Sequence, residues 1–318
     1  MDLDAKIYVA GHNGLVGSAI CRKLESSGYR QVLCLSRSKL DLCDQRATRE
    51  FFESQKPDYV FLAAAKVGGI HANASQPAQF IHDNLSISVN VLEAARQCEV
   101  TKLLYLGSSC IYPKMSPQPI PEDALLTGAL EPSNSSYAIA KIAGLKMCDA
   151  YNRQYGTNFL TTMPTNLYGP NDNFDLETSH VLPALLRKCH EAKMSQAQQM
   201  MVWGSGTPRR EFLHVDDLAD ACVFLMQQCN ASELDGHVNI GTGEDVSIRE
   251  LTELIQKVVG YEGALEFDAS KPDGTPRKLL NVGKINDLGW KAKKSLEVGI
   301  EQTYAWYLSN LNLHQDAS

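Results

Sequence analysis

Over the first 165 residues the apolar positions alternate between two textures. Short, almost unbroken apolar runs occupy residues 6–10, 31–35, 59–65, 102–106 and 159–163. Runs of that length read as strands, and those without polar interruption as strands covered on both faces. Longer amphipathic stretches lie between them, at 18–27, 45–54, 85–98 and 137–155, and read as helices that bury one face. Gly28 closes the first of these helices. Strands alternating with helices of this length predict right-handed βαβ units and an α/β fold built on a parallel, doubly wound sheet.

After Tyr168 the texture changes. Gly169-Pro170-Asn171-Asp172-Asn173-Phe174 reads as a loop, and a helix begins near His180. Shorter elements separated by proline and glycine follow. Residues 214–228 read as one more helix of the first layer, N-capped by Asp216 or Asp217. The helix-like stretch 247–259 and the loop 271–277 read as parts of a smaller, mixed α/β lobe. The predicted division is a larger unit of residues 1–168 plus about 208–236, and a smaller unit of about 169–207 plus 237–318.

Composition narrows the partners. The chain has 318 residues, 44% hydrophobic and 21% charged, which excludes a disordered or fibrous protein and lets a sizeable core form without disulfide or metal staples. A net charge of −7 with no basic block argues against nucleic acid and anionic membrane as partners. The nine cysteines include no CxxC pair, the closest two being Cys222 and Cys229, so reduced thiols and no metal site are expected. The acidic start enters a strand at once, and no apolar run approaches the length of a membrane span. A cytoplasmic protein is the expectation.

Chemistry enters at the first strand–helix turn. Ala10-Gly11-His12-Asn13-Gly14-Leu15-Val16-Gly17 spaces its glycines as GxxGxxG. Gly11 permits the tight turn, Gly14 lets backbone approach a pyrophosphate, and Gly17 lets the helix pack closely on the strand. The helix N-terminus supplies N–H donors and partial positive charge to an anion. This makes the larger unit a nucleotide-binding unit of Rossmann type. The second strand ends in Leu35-Ser36-Arg37-Ser38, without the acidic residue that would hold a free ribose 2′-hydroxyl; Arg37 can pair with a 2′-phosphate instead. NADP is thereby favoured over NAD, the other reading of Arg37 being a solvated loop residue.

Tyr137-Ala138-Ile139-Ala140-Lys141 opens the long helix and puts a phenol and an ammonium on one helix face. The ammonium is expected to lower the phenol pKa towards the working range. Ser108, just past the strand 102–106, would stand at the ligand crevice of an open α/β sheet, where its hydroxyl can polarise a carbonyl. By residue type alone, Cys110 reads as core packing and His180 as a polar residue opening a helix.

The chain resembles the extended short-chain dehydrogenase/reductases from Lys6 to about Trp290. The resemblance rests on the glycine loop, Ser108, the YxxxK helix and several longer runs. These are Ala65-Lys66-Val67-Gly68-Gly69-Ile70, Leu106-Gly107-Ser108-Ser109-Cys110-Ile111-Tyr112-Pro113-Lys114, Pro164-Thr165-Asn166-Leu167-Tyr168-Gly169-Pro170 and Ser179-His180-Val181-Leu182-Pro183-Ala184-Leu185-Leu186. Trp203-Gly204-Ser205-Gly206-Thr207-Pro208-Arg209-Arg210-Glu211-Phe212 and Lys271-Pro272-Asp273-Gly274-Thr275-Pro276-Arg277-Lys278 complete them. One departure lies at Asn13, where family members often carry arginine or serine.

Within that family, the runs resemble the branch that acts on GDP-4-keto-6-deoxy-D-mannose, inverting C3 and C5 and then reducing the C4 ketone with NADPH. The resemblance implies catalytic roles for Ser108, Tyr137 and Lys141, with Cys110 as base and His180 as acid of the epimerisation. It places NADP(H) against Gly11, His12, Asn13, Gly14, Leu15, Val16, Gly17, Arg37, Leu106, Gly107, Ser108, Ser109, Lys141, Pro164, Thr165, Asn166, Leu167 and His180. Lys188, Trp203, Arg210 and Asp273 are implied to contact the GDP-sugar, with Arg187, Arg209 and Lys278 as neighbouring alternatives for the diphosphate. A homodimer through a four-helix bundle is implied as well, built from the helices near 85–98 and 137–155. Two other readings stay open. One is a GDP-mannose 3,5-epimerase, which gives no net redox; the other is a non-catalytic NADP-binding sensor.

Overall fold

The computed structural model describes residues 1–271 and 273–315; Pro272 of the last run and residues 316–318 of the predicted smaller unit lie outside the described residues. The chain runs β1 (Lys6–Ala10), α1 (Leu15–Ser26), β2 (Gln31–Leu33), α2 (Gln45–Gln55), β3 (Tyr59–Leu62), α3 (Ile70–Ser75), α4 (Pro77–Gln97), β4 (Lys102–Leu106), α5 (Ser135–Tyr155), β5 (Phe159–Pro164) and β6 (Asn166–Tyr168). It continues through α6 (Val181–Met194), β7 (Gln199–Trp203), β8 (Arg209–Arg210), β9 (Phe212–His214), α7 (Val215–Gln228), β10 (Val238–Ile240), β11 (Val246–Ser247), α8 (Ile248–Val259), β12 (Ala264–Asp268), β13 (Arg277–Lys278), α9 (Gly283–Asp287) and α10 (Leu296–Gln315). The main sheet has six strands, all parallel, in the order β10-β5-β4-β3-β1-β2.

The period of two sorts each strand between the two faces. Ile7, Val9, Phe61, Leu104 and Leu160 pack under α1 and α7 with Ala19, Ile20, Leu24, Leu218 and Cys222. Tyr8, Val60, Leu62, Leu103 and Phe159 face the other way, onto Phe52 of α2, Val91 and Leu92 of α4 and Cys148 of α5. Both faces are covered, which is why these strands read as continuous apolar runs. A third core, with Leu182, Leu186, Val202, Leu251, Ile255 and Ile300, holds the smaller layer of α6, α8, α10 and the parallel pair β7–β12.

Local chemistry sets the boundaries. Asp44 caps α2 by accepting from the Ala47 N–H at 2.9 Å, and Ser247 and Glu250 form a capping box at α8. The α7 cap differs from expectation: His214 occupies it, its Nδ1 accepting from the Asp216 N–H at 3.2 Å, while Asp216 and Asp217 lie in the first turn. There they still favour the positive helix end. The sixth strand of the large sheet comes from a later segment. β10 lies beyond residue 236, yet it pairs in parallel with β5, so the large sheet takes in Val238–Ile240. Asn239 at its centre hides the strand signal; buried, it accepts from the Tyr112 hydroxyl at 2.6 Å and donates to the Ile120 and Asn281 carbonyls.

One buried carboxylate joins the layers. Glu211, between β8 and β9, accepts from the Thr242 and Gly243 N–H groups at 2.7 and 2.8 Å and from the Leu280 N–H at 3.0 Å. Its own carbonyl accepts from Thr165 Oγ1 and Asn166 Nδ2, just past β5. Glu211→Gln keeps the shape but turns an amide NH₂ towards one of these N–H donors. A loss of about 1–3 kcal/mol is expected in denaturant unfolding, the cost of an unmade buried hydrogen bond; an unchanged midpoint would remove Glu211 from this role.

A second buried carboxyl carries an acid-linked prediction. Asp172, in the loop after β6, has one oxygen bonded to the Asn173 N–H and the other without a partner among the described residues. Burial raises its pKa to about 7. The folded state therefore holds this proton more tightly than the unfolded chain, whose carboxyl titrates near 4. Its contribution to stability is present in acid and falls as pH rises from about 4 through about 7. Asp172→Asn should gain thermal stability over the parent as pH is raised from 5 to 8; a difference that stays constant would contradict the assignment.

Candidate active site

The parallel sheet brings the carboxyl ends of β1 and β4 to one edge, the place where open α/β sheets bind ligands. At the end of β1, Gly11 has φ +86°, and a side chain there would meet the Ala64 backbone at 2.8 Å. A Cβ on Gly17 would overlap the Gly11 carbonyl, so α1 approaches the loop as closely as backbone allows. A Cβ on Gly14 would meet only the Gly11 carbonyl, at 3.5 Å, and project into the space a phosphate needs. His12 Nδ1 is buried without a partner among the described residues. Arg37 is 70% exposed and only loosely paired, 3.7 Å from Asp41 and 3.9 Å from Asp83. An open glycine cradle, an unmet polar atom and an available guanidinium fit a dinucleotide with a 2′-phosphate.

At the end of β4 the chain enters a short 3₁₀ turn, Ser109–Ile111, capped by Ser108, whose Oγ accepts from the Cys110 N–H at 3.4 Å. α5 then brings Tyr137 and Lys141 alongside. Lys141 Nζ donates to the Leu106 carbonyl at 2.7 Å and lies 5.8 Å from the Tyr137 ring centre. Tyr112, two residues past Cys110, is anchored through His237 Nε2 and Asn239 to the edge of β10, which fixes the turn from behind.

Burial dominates the electrostatics. It pushes the Tyr137 phenol well above its ordinary pKa, with the Cys110 and Tyr105 charges adding and only the Ser108 hydroxyl opposing. The expected lowering by Lys141 is therefore corrected. Desolvation dominates at Tyr137 and also moves Lys141 down to about 8. Burial raises the Cys110 thiol too, but Lys278, Ser108 and Lys141 all pull it back. His180 stands at the N-terminal cap position of α6, open to the cleft yet ringed by protein; burial first, and Lys278 second, hold its imidazole below the usual value. Lys278 is felt at both Cys110 and His180, and this ties the two together. Gly69, in the 65–70 run, donates its N–H to the Thr178 carbonyl at 2.9 Å, holding the approach to His180.

The cations split by their partners. Arg187 pairs with Glu191 at 2.7 Å, and Arg209 with Asp245 and Glu250. Lys188 and Arg210 have no carboxylate within 4 Å among the described residues. Lys188 Nζ lies 4.8 Å from the Trp203 ring, and Lys271 lies 5.6 Å from the same ring. Asp273 is already engaged, accepting from the Ser205 N–H at 2.9 Å and its hydroxyl at 2.6 Å.

The model of the NAD dependent epimerase/dehydratase family matches residues 7–241. The chain belongs to this family. GDP-L-fucose synthase 1 of Arabidopsis thaliana is 59% identical over 310 residues, which cover 98% of this chain and 95% of that protein. GDP-L-fucose synthase of Escherichia coli (strain K12) is 55% identical over 311 residues, 96% of this chain and 97% of that one. The solved structure of a GDP-L-fucose synthetase from Naegleria fowleri bound to NADP has a TM-score of 0.90 at 29% identity, covering 98% of this chain and 96% of that one.

Within this epimerase/dehydratase scaffold, the residue that sequence reasoning placed too loosely is Lys278. The resemblance made it a neighbouring alternative for the diphosphate; its charge reaches Cys110 and His180. β13 pairs with β8, which sets Lys278 opposite Arg210. Lys278→Met removes a positive neighbour, so the thiolate loses support and the Cys110 pKa rises. The pH midpoint of Cys110 alkylation by iodoacetamide, read on its peptide by mass spectrometry, should move upward; no movement would place Lys278 outside the field of the thiol.

Proposed function

We propose that the protein makes GDP-L-fucose from GDP-4-keto-6-deoxy-D-mannose, inverting C3 and C5 and then reducing the C4 ketone. The observation that carries the reading is the gathering of Cys110, Ser108, Tyr137 and Lys141 at the end of β4, with Lys278 linking Cys110 to His180. The identity to GDP-L-fucose synthases over nearly the whole chain supports it. NADPH, when bound, supplies the hydride for C4. The larger unit holds it through Gly11–Gly17, Arg37, Leu106–Ser109, Lys141 and Pro164–Leu167, and the smaller layer holds the GDP-sugar through Lys188, Trp203 and Arg210. Asp273 accepts from the Ser205 N–H and hydroxyl and keeps acceptor capacity on both oxygens, so it joins these contacts in this reading.

Each group suits its step. Ser108 and Tyr137 hold the ketone oxygen, which acidifies the C3 and C5 protons. Cys110, supported as thiolate by Lys278 and Lys141, removes them, and His180 returns a proton from the other side of the ring. Tyr137 then donates its phenol proton to the C4 oxygen. The raised pKa keeps that proton in place at neutral pH. Lys141, at about 8, remains largely charged and can hold the nicotinamide ribose.

A homodimer belongs to the same reading. α4 and α5 pack side by side, and the exposed Val89, Ile139 and Tyr155 lie on these two helices. No described helix is long and apolar enough to cross a membrane; the reading places the protein in the cytoplasm.

The test follows NADPH absorbance and solvent-deuterium exchange at C3 and C5 in the same reaction. Cys110→Ser should slow exchange by roughly 10²–10⁴-fold, the usual weight of a general base. Tyr137→Phe should lose NADPH consumption, while exchange slows but persists on the Ser108 hydroxyl. Exchange without NADPH consumption in the parent protein would instead favour a pure 3,5-epimerase, and neither signal would overturn the substrate assignment.

A further inference from the structure

Two cysteines outside the reaction centre stand sulfur to sulfur. Cys21, in the middle of α1, and Cys34, one residue past β2, are 3.5 Å apart. Both are free thiols, and Cys34 is exposed. Among the described residues no other pair of cysteine sulfurs lies in hydrogen-bonding reach. Their surroundings are not neutral ground. α1 carries the glycine loop at its N-terminus, and Arg37 follows Cys34 by three residues. β2 is a three-residue edge strand held only by β1, so its outgoing end is the softer of the two supports.

We propose that Cys21 and Cys34 form a reversible disulfide that loosens the grip of Arg37 on the 2′-phosphate of NADPH. The proposal rests on the NADPH reading above for its effect, but not for the bond itself. The oxidant is a small-molecule disulfide. The Cys34 thiolate attacks one sulfur of it, forming a mixed disulfide and expelling one thiolate. Cys21 gives its proton to solvent and attacks the Cys34 sulfur, expelling the second thiolate. The two cysteines lose two electrons and two protons, and the small disulfide becomes two thiols. Access favours Cys34 as the first nucleophile, and the thiol–thiol hydrogen bond agrees, holding Cys34 below and Cys21 above the ordinary cysteine pKa.

Bond formation must close the sulfurs by about 1.5 Å. Part of that is side-chain rotation, and the rest draws the end of β2 towards α1, because α1 is pinned by the glycine loop and by α7. Ser36, Arg37 and Ser38 travel with it. NADH, which has no 2′-phosphate, is affected less by that shift, so the oxidised protein discriminates less between the two cofactors.

The experiment treats the full-length protein with oxidised glutathione and measures three things. Intact mass should fall by the two hydrogens of one disulfide, and trypsin should release residues 7–22 cross-linked to residues 31–37. NADPH affinity, measured by fluorescence titration, should weaken by about tenfold, the weight of part of one charge-assisted contact, with NADH affinity nearly unchanged. Dithiothreitol should restore both, and Cys34→Ser should show normal affinity and no response. Absence of the cross-linked peptide would overturn the site. A cross-link with unchanged NADPH affinity would overturn its effect on the cofactor. If the reduced protein binds NADH as well as NADPH, the 2′-phosphate reading fails while the disulfide stands.

Discussion

The Glu211 carboxylate is the point on which the site depends. It gathers N–H groups from the turn after β10 and from the end of β13, while its main chain receives side chains from the residues following β5. Burial alone would drive such a carboxyl towards its neutral form, and its pKa is indeed raised. The donors keep it useful as an acceptor at the junction of the two layers. Arg210 precedes it, and Lys278 offers its carbonyl to the Glu211 N–H at 3.3 Å. Arg210 and Lys278 are thus both placed next to Glu211, one as its chain neighbour and one through its main-chain N–H.

The reaction groups live with a conflict between dryness and charge. Removing water pushes Tyr137 and Cys110 towards their neutral forms and weakens the ammonium of Lys141. In the proposed reaction this favours Tyr137 as proton donor, since the phenol arrives protonated. For a thiolate base it is a handicap, and Lys278 and Lys141 offset part of it. One pocket can therefore contain both an acid and a base because the positive charge is placed unevenly within it.

Much of this was legible from the chain. Strands covered on both faces leave unbroken apolar runs, so β1, β3, β4 and β5 could be read directly, and the glycine loop and YxxxK spacing announced their chemistry. What could not be read depended on distant partners. β10 is a three-residue strand with asparagine at its centre, and Asn239 is tolerable there only because Tyr112, Ile120 and Asn281 satisfy it. The His214 cap was hidden behind two aspartates with stronger capping preference. The phenol pKa was misjudged because proximity to an ammonium is visible in helical spacing, whereas desolvation is a property of everything packed around it.

The late sixth strand bears on how the chain is made. β5 ends at Pro164, and its outer partner β10 begins only at Val238, with α6, β7 and α7 in between. At about 5–20 residues per second, the ribosome needs roughly 4–15 s to deliver that partner. Through that interval the backbone edge of β5 is unpaired while the rest of the sheet can already form, and an unpaired edge is where another nascent chain can attach. The Rossmann half of this protein therefore cannot seal itself as it emerges, and its period of greatest exposure to misassembly falls during synthesis of residues 165–237.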